Sequence, residues 1–151
     1  MTGGAGRSGI AGCCGQSLVE FSIVTFLTVL MLLFVVEMGR ILLVYTTVAN
    51  AAREGVRYAI VHGSTRATGA TLDSASGPGS NPAQVLTVIK NFASSGLLTP
   101  ALLVVNVTYP GASNAPGQYV SVTVVYPYNP LTTYFSKTLR LGSAAQGIIV
   151  F

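Results

Sequence analysis

The chain has 151 residues, half of them hydrophobic and only 8% charged, with a formal net charge of +4. An ordinary soluble domain carries about 25% charged residues, so this composition argues against one and fits a membrane span joined to a domain low in charge. The eight cations are scattered along the chain, so the positive sign does not build a nucleic-acid surface.

Met1–Gly15 contains six glycines and one charged residue, Arg7, with no helical periodicity. It reads as a disposable leader. The only cysteines, Cys13 and Cys14, lie within it. A disulfide between neighbours is strained, and two cysteines with the single histidine, His62, cannot close a zinc site. No metal or cofactor is expected. Ile10-Ala11-Gly12-Cys13 matches a lipoprotein processing pattern but lacks the apolar segment that should precede it.

Phe21 to Val36 is a run of sixteen residues without a formal charge, bounded by Glu20 and Glu37. As a helix it covers about 24 Å, short of the roughly 30 Å hydrocarbon layer, so flanking residues must enter as well. The expected span is 18–37. A carboxylate at Glu20 is then drawn towards lipid, at a cost of about 2.5–3.5 kcal/mol at the bilayer centre and less near the interface. A secretory signal would place its small residues after the apolar run. Here they come first.

Cleavage after Gly15 would make Gln16 a new amino terminus with Glu20 fifth and Phe21 sixth. Gly15-Gln16-Ser17-Leu18-Val19-Glu20-Phe21 resembles a type IV prepilin processing site. With Glu37-Met38-Gly39-Arg40 and Asn50-Ala51-Ala52-Arg53-Glu54-Gly55-Val56-Arg57-Tyr58, the chain more closely resembles the TadE-like pseudopilins of tight-adherence (Flp) pilus systems, over Gly15 to about Ile60. Two features depart from the family. Cys13 and Cys14 stand where basic residues usually flank the cleavage glycine, and Phe26 stands where a proline is common, which removes a source of kinking.

The resemblance implies that a membrane prepilin peptidase cuts after Gly15 at the cytoplasmic face, and that Glu20 serves assembly. The ammonium freed at Gln16 would lie one helical turn from that carboxylate, or reach it from a neighbouring subunit. The implied partners are membrane lipid, the peptidase, the major pilin, a sister pseudopilin and the inner-membrane assembly platform, with no nucleic acid. The implied location is the bacterial inner membrane, single-pass, with the C-terminal part outside. Counting Arg7 against Arg40, Arg53 and Arg57 favours the opposite orientation.

Beyond the span, the helix is expected to continue over 38–62 as an amphipathic extension. Ile41, Val44, Tyr45, Val48, Ala52, Gly55, Val56 and Ala59 fall within an arc of about 120°. Thr46, Asn50, Arg53, Glu54 and Arg57 lie opposite. Arg53 and Arg57 read as a solvated face, and Glu37 and Arg40 as a boundary pair worth tenths of a kcal/mol.

Gly63 to Ser80 has the composition of a flexible linker. Asn81 is then expected to cap a short helix with Pro82 at its first position, and with Val85, Leu86, Val88, Ile89 and Phe92 inward until Gly96. From Leu102 the period becomes two. Strands are expected at Leu102–Thr108 and Tyr119–Tyr126, joined by a turn at Gly111–Gly117. A third is expected at Gly147–Phe151, with a start as early as Thr138 left open. The predicted class is α+β: a long N-terminal transmembrane and amphipathic helix, then a small head over 81–151 with a short helix and a three-stranded antiparallel sheet, as in pilins.

Tyr109, Tyr119, Tyr126, Tyr128 and Tyr134 suit core or edge packing better than a ligand surface. Asn106-Val107-Thr108 fits a glycosylation sequon but lies inside a strand. No acid-base pair or triad converges, and nothing frames Ser136 and Lys137 as a nucleophile site, so an enzyme is not expected. The remaining alternative is an uncleaved, membrane-anchored binding module with a β head.

Overall fold

The computed structural model describes residues 11–67, 72–131 and 138–151, with side chains from residue 15 onward. It is α+β. Helix α1 runs unbroken over Ala11–Val61 and helix α2 over Ala83–Ser95, a single 3-10 turn occupies Pro100–Leu102, and strands β1 (Val104–Thr108), β2 (Tyr119–Tyr128) and β3 (Leu139–Ile148) follow. Two compact units are resolved, Met1–Gly39 and Arg40–Phe151.

The second unit is built on an antiparallel sheet in the order β1-β2-β3. Val107 faces Val122, which faces Ala145, and Val105, Val124 and Ser143 form the next row. Because side chains alternate between faces, these rows share one side of the sheet. Val107, Val120, Val122 and Val124 are fully buried there. Each fully buried valine contributes on the order of 1.5 kcal/mol or more relative to exposure.

Val44, Val48, Ala51, Ala52, Val56 and Ala59 of α1 join Val85, Ile89 and Ala93 of α2 in the same core. Helices and sheet meet at Gly55, where an added Cβ would lie 2.5 Å from Ile89 and 3.4 Å from Val122. The buried stripe differs from the expected one at two places. Ala51 is fully buried, whereas Tyr45 is exposed.

Asn81 does not cap α2. It adopts a left-handed backbone at φ 53°, Pro82 is the residue before the helix, and no side-chain cap bond forms. The Asn81 amide oxygen instead accepts from Val107 N–H at 2.6 Å, and Asn81 N–H donates to Val107 O at 3.1 Å. At the other end of α2, Gly96 lies against the Thr47 side chain and leaves no room for a Cβ, and the left-handed position falls on Leu97 at φ 63°. Leu98 N–H donates to Ala93 O and closes the helix in the manner of a Schellman motif.

Leu102 belongs to the 3-10 turn, so the first strand starts at Val104. The third strand is Leu139–Ile148, not Gly147–Phe151; its earlier start is the observed one. Tyr109 and Tyr128 are buried and Tyr119 is exposed. Tyr134, Ser136 and Lys137 lie outside the described residues.

Candidate functional site

The motif residues are strung along α1 in two environments. Gly15, Gln16, Glu20 and Phe21 are exposed on the first turns, and no atom comes within 4 Å of a Cβ built on Gly15. Gln16 and Glu20 are four apart, a rise of about 6 Å on one helix face. From Leu18 to Val36 every large apolar residue is exposed, and no residue of the most apolar 18-residue window is buried.

Two polar side chains within this run are satisfied locally. Ser22 Oγ donates to Val19 O and Thr28 Oγ1 to Val24 O, both at 2.8 Å. Such internal pairing is what a segment without access to water requires. Glu20 is the only formal charge between Arg7 and Glu37.

The later motif residues divide between core and surface. Glu37 is buried and Arg40 half-buried, with the Arg40 guanidinium carbon 5.5 Å from the centroid of the Tyr128 ring. That contact is within reach of a cation–π attraction. Gly39 has open space around it. Ala51 and Ala52 lie in the core, whereas Asn50, Arg53 and Arg57 are exposed.

Tyr58 anchors the segment after α1. Its hydroxyl donates to Leu72 O, and its ring stacks on His62 at 4.0 Å between centroids and 16° between planes. His62 Nδ1 lies 2.9 Å from Tyr58 O. Beneath this pair a buried network meets the last turn of the helix. Ser76 N–H and its hydroxyl both donate to His62 O, at 2.6 and 2.9 Å. Tyr109 Oη donates to Ser76 O at 2.9 Å, and Asn114 Nδ2 donates to the same oxygen at 3.3 Å.

Carbonyls at a helix end need such partners. The segment 63–80, expected as a flexible linker, therefore includes Ser74, Ala75 and Ser76 packed against α1, while 68–71 lie outside the described residues. Burial raises the Tyr109 phenol above its usual pKa, opposed by the bond with Ser76. The Tyr58 phenol is also raised, first by burial, then by Asp73 and Tyr109, against a lowering by Arg66. Burial thus favours the neutral, donating form of both rings. Sequence reasoning missed Ser76, Tyr109 and Asn114 as a unit, since they are separated along the chain and their spacing carries no periodic signal.

Among the described residues, no group of three His, Cys, Asp or Glu side chains could hold a metal ion. The chemistry these residues offer is that of an exposed apolar helix carrying one carboxylate near its start. Residues 15–57 match the TadE-like protein family. No curated protein and no solved structure matches the chain. The TadE-like segment takes in the exposed run and most of the buried stripe, and it stops one residue before Tyr58. With one N-terminal helix among the described residues long and apolar enough to cross a membrane, it makes this a pilus-related, pilin-like protein associated with a membrane.

Proposed function

We propose that the protein is a pseudopilin of a tight-adherence (Flp) pilus or related secretion system, processed after Gly15 and inserted through α1. The observation that carries this reading is the exposed run Leu18–Val36 with its one carboxylate, Glu20, a single turn from Gln16. Hydrolysis of the Gly15–Gln16 peptide bond by a prepilin peptidase would leave a carboxylate on the departing leader and an ammonium on Gln16. That ammonium, on the same chain or a neighbouring one, offsets the cost of holding the Glu20 carboxylate in apolar surroundings.

Lipid would cover the run before assembly and neighbouring pilin helices afterwards. In this reading the peptidase acts at the cytoplasmic face, the head lies outside the inner membrane, and the major pilin, a sister pseudopilin and the assembly platform are partners. Glu20→Ala and Glu20→Gln should insert into membranes normally yet fail to enter the pilus. Incorporation of both variants at the native level would sink the assembly role.

A second reading, an uncleaved membrane-anchored binding module, draws support from one observation. Helix α1 includes Ala11 to Gln16, so the Gly15–Gln16 bond is helical and must unwind before a peptidase can grip it.

A further inference from the structure

The two edges of the sheet are treated differently. In an antiparallel ladder, residues alternate between those bonded to the neighbouring strand and those whose N–H and C=O face away. Ile149 N–H donates to Gln118 O, Ile149 O accepts from Gly117 N–H, and Val150 N–H turns to Ile60 O. By that alternation Leu141, Ser143, Ala145 and Gly147 bond to β2. Arg140, Gly142, Ala144, Gln146 and Ile148 present their backbone groups outward.

Pro127 sits opposite Arg140, where no N–H is needed for the β2–β3 ladder. On β1 the same alternation turns Val107 outward, and Asn81 takes both of its backbone groups. The β1 edge is short and stopped. The β3 edge is ten residues long, holds no proline and only one charge, Arg140, and among the described residues none of its backbone groups from Arg140 to Ile148 is bonded to anything outside the sheet. Natural sheets blunt an edge of this kind or use it, because its unpaired groups are a template for another strand.

We propose that the β3 edge pairs antiparallel with the β3 edge of a second copy of this chain, centred on Ala144. In that register Ala144 meets Ala144, Gly142 meets Gln146 and Arg140 meets Ile148, so every outward group finds its complement. The two Arg140 side chains sit at opposite ends, about 27 Å apart by strand rise, well beyond the screening length of roughly 8 Å at physiological salt. No acidic partner is required. The pairing joins two three-stranded sheets into one of six strands, whose remaining edges are both β1 and both stopped by Asn81. An isologous contact of this kind closes at two copies instead of propagating. It stands independently of processing at Gly15.

The test is sedimentation of the full chain in detergent micelles, comparing the native sequence with Ala144→Lys and Ala144→Glu. Ala144 is exposed on the outer sheet face, and circular dichroism checks that each variant keeps its fold. The native protein should be dimeric. Each charge variant, which sets like charges directly opposite one another, should weaken the dimer by about fivefold. An equimolar mixture of the two variants should restore it. A monomeric native chain would overturn the pairing, as would a dimer indifferent to both substitutions or a mixture that stays monomeric. The last two outcomes would assign any association to the apolar helix or to a different strand.

Discussion

The two halves of α1 share a backbone and almost nothing else. Between Leu18 and Val36 apolar residues occupy every side of the helix and all of them are exposed, whereas between Val44 and Ala59 they are gathered on one stripe that is buried except at Tyr45. The first half has no solvent of its own among the described residues. The second half finds its solvent in α2 and the sheet. The comparison teaches that hydrophobicity alone does not state where a helix belongs; its angular distribution does. All-round apolarity calls for lipid or other helices, and a stripe calls for a folded partner.

Substitutions can break this contrast in order of expected size. Val48→Asp would bury an unpaired carboxylate in the centre of the core and should abolish cooperative unfolding of the head, while Val29→Asp should leave head unfolding unchanged and impair membrane insertion; thermal melts and membrane fractionation read the two. Gly77→Ala comes next. Gly77 has φ 97°, and an added Cβ would lie 2.7 Å from the Tyr109 ring. The left-handed backbone and the overpacking together should cost about 2–4 kcal/mol in a denaturant titration.

Tyr58→Phe removes one hydrogen bond, that to Leu72 O, and should cost about 1 kcal/mol. Its signature is faster amide exchange at Ser76 with β2 unaffected. The smallest effect concerns pH. Because the folded-state pKa values of Tyr58 and Tyr109 are raised above the usual 10.0, the unfolded chain ionises first. Stability is fully present below about pH 10 and is lost as pH rises beyond it. Melting temperatures between pH 9 and 11 should show this slope, shallower in Tyr109→Phe than in the native chain.

What the sequence made legible follows the same division. The long helix and most of its stripe could be read because a period of 3.6 over many residues is a strong signal. Ala51 escaped the stripe because it projects about 80° from Ile41, just outside the 120° arc, although it packs as fully as Val48. Strand β3 was blurred for a structural reason. Its inward positions are Leu141, Ser143, Ala145 and Gly147, and helix α1 passes so close that a Cβ on Gly147 would lie 2.5 Å from Ile60 and 2.7 Å from Val56. Small residues are what that approach demands, and they erase the alternation that marks a strand.

Asn81 misled for a similar reason. Asn-Pro ahead of an apolar run has the look of a helix start, but the amide is spent on the edge of β1. Ser74-Ala75-Ser76 has the composition of a linker, and only the tertiary fold supplies Tyr109, Asn114 and the carbonyls of α1 to bury it. The candidate site fared differently. The apolar run and Glu20 are legible in the chain alone, because an uncharged run and the carboxylate that bounds it are local features of the sequence. What the chain could not disclose was that Glu37 is buried while Glu20 is exposed, since both bound the same run in sequence.

In the proposed function, the first half of α1 becomes an assembly element once Met1–Gly15 is removed. The most direct measurement is the amino-terminal sequence and intact mass of the membrane-bound protein, made with and without a matching prepilin peptidase. A start at Gln16 that depends on the peptidase is the predicted result. Retention of Met1–Gly15 in both samples would contradict the account and leave an anchored module in its place.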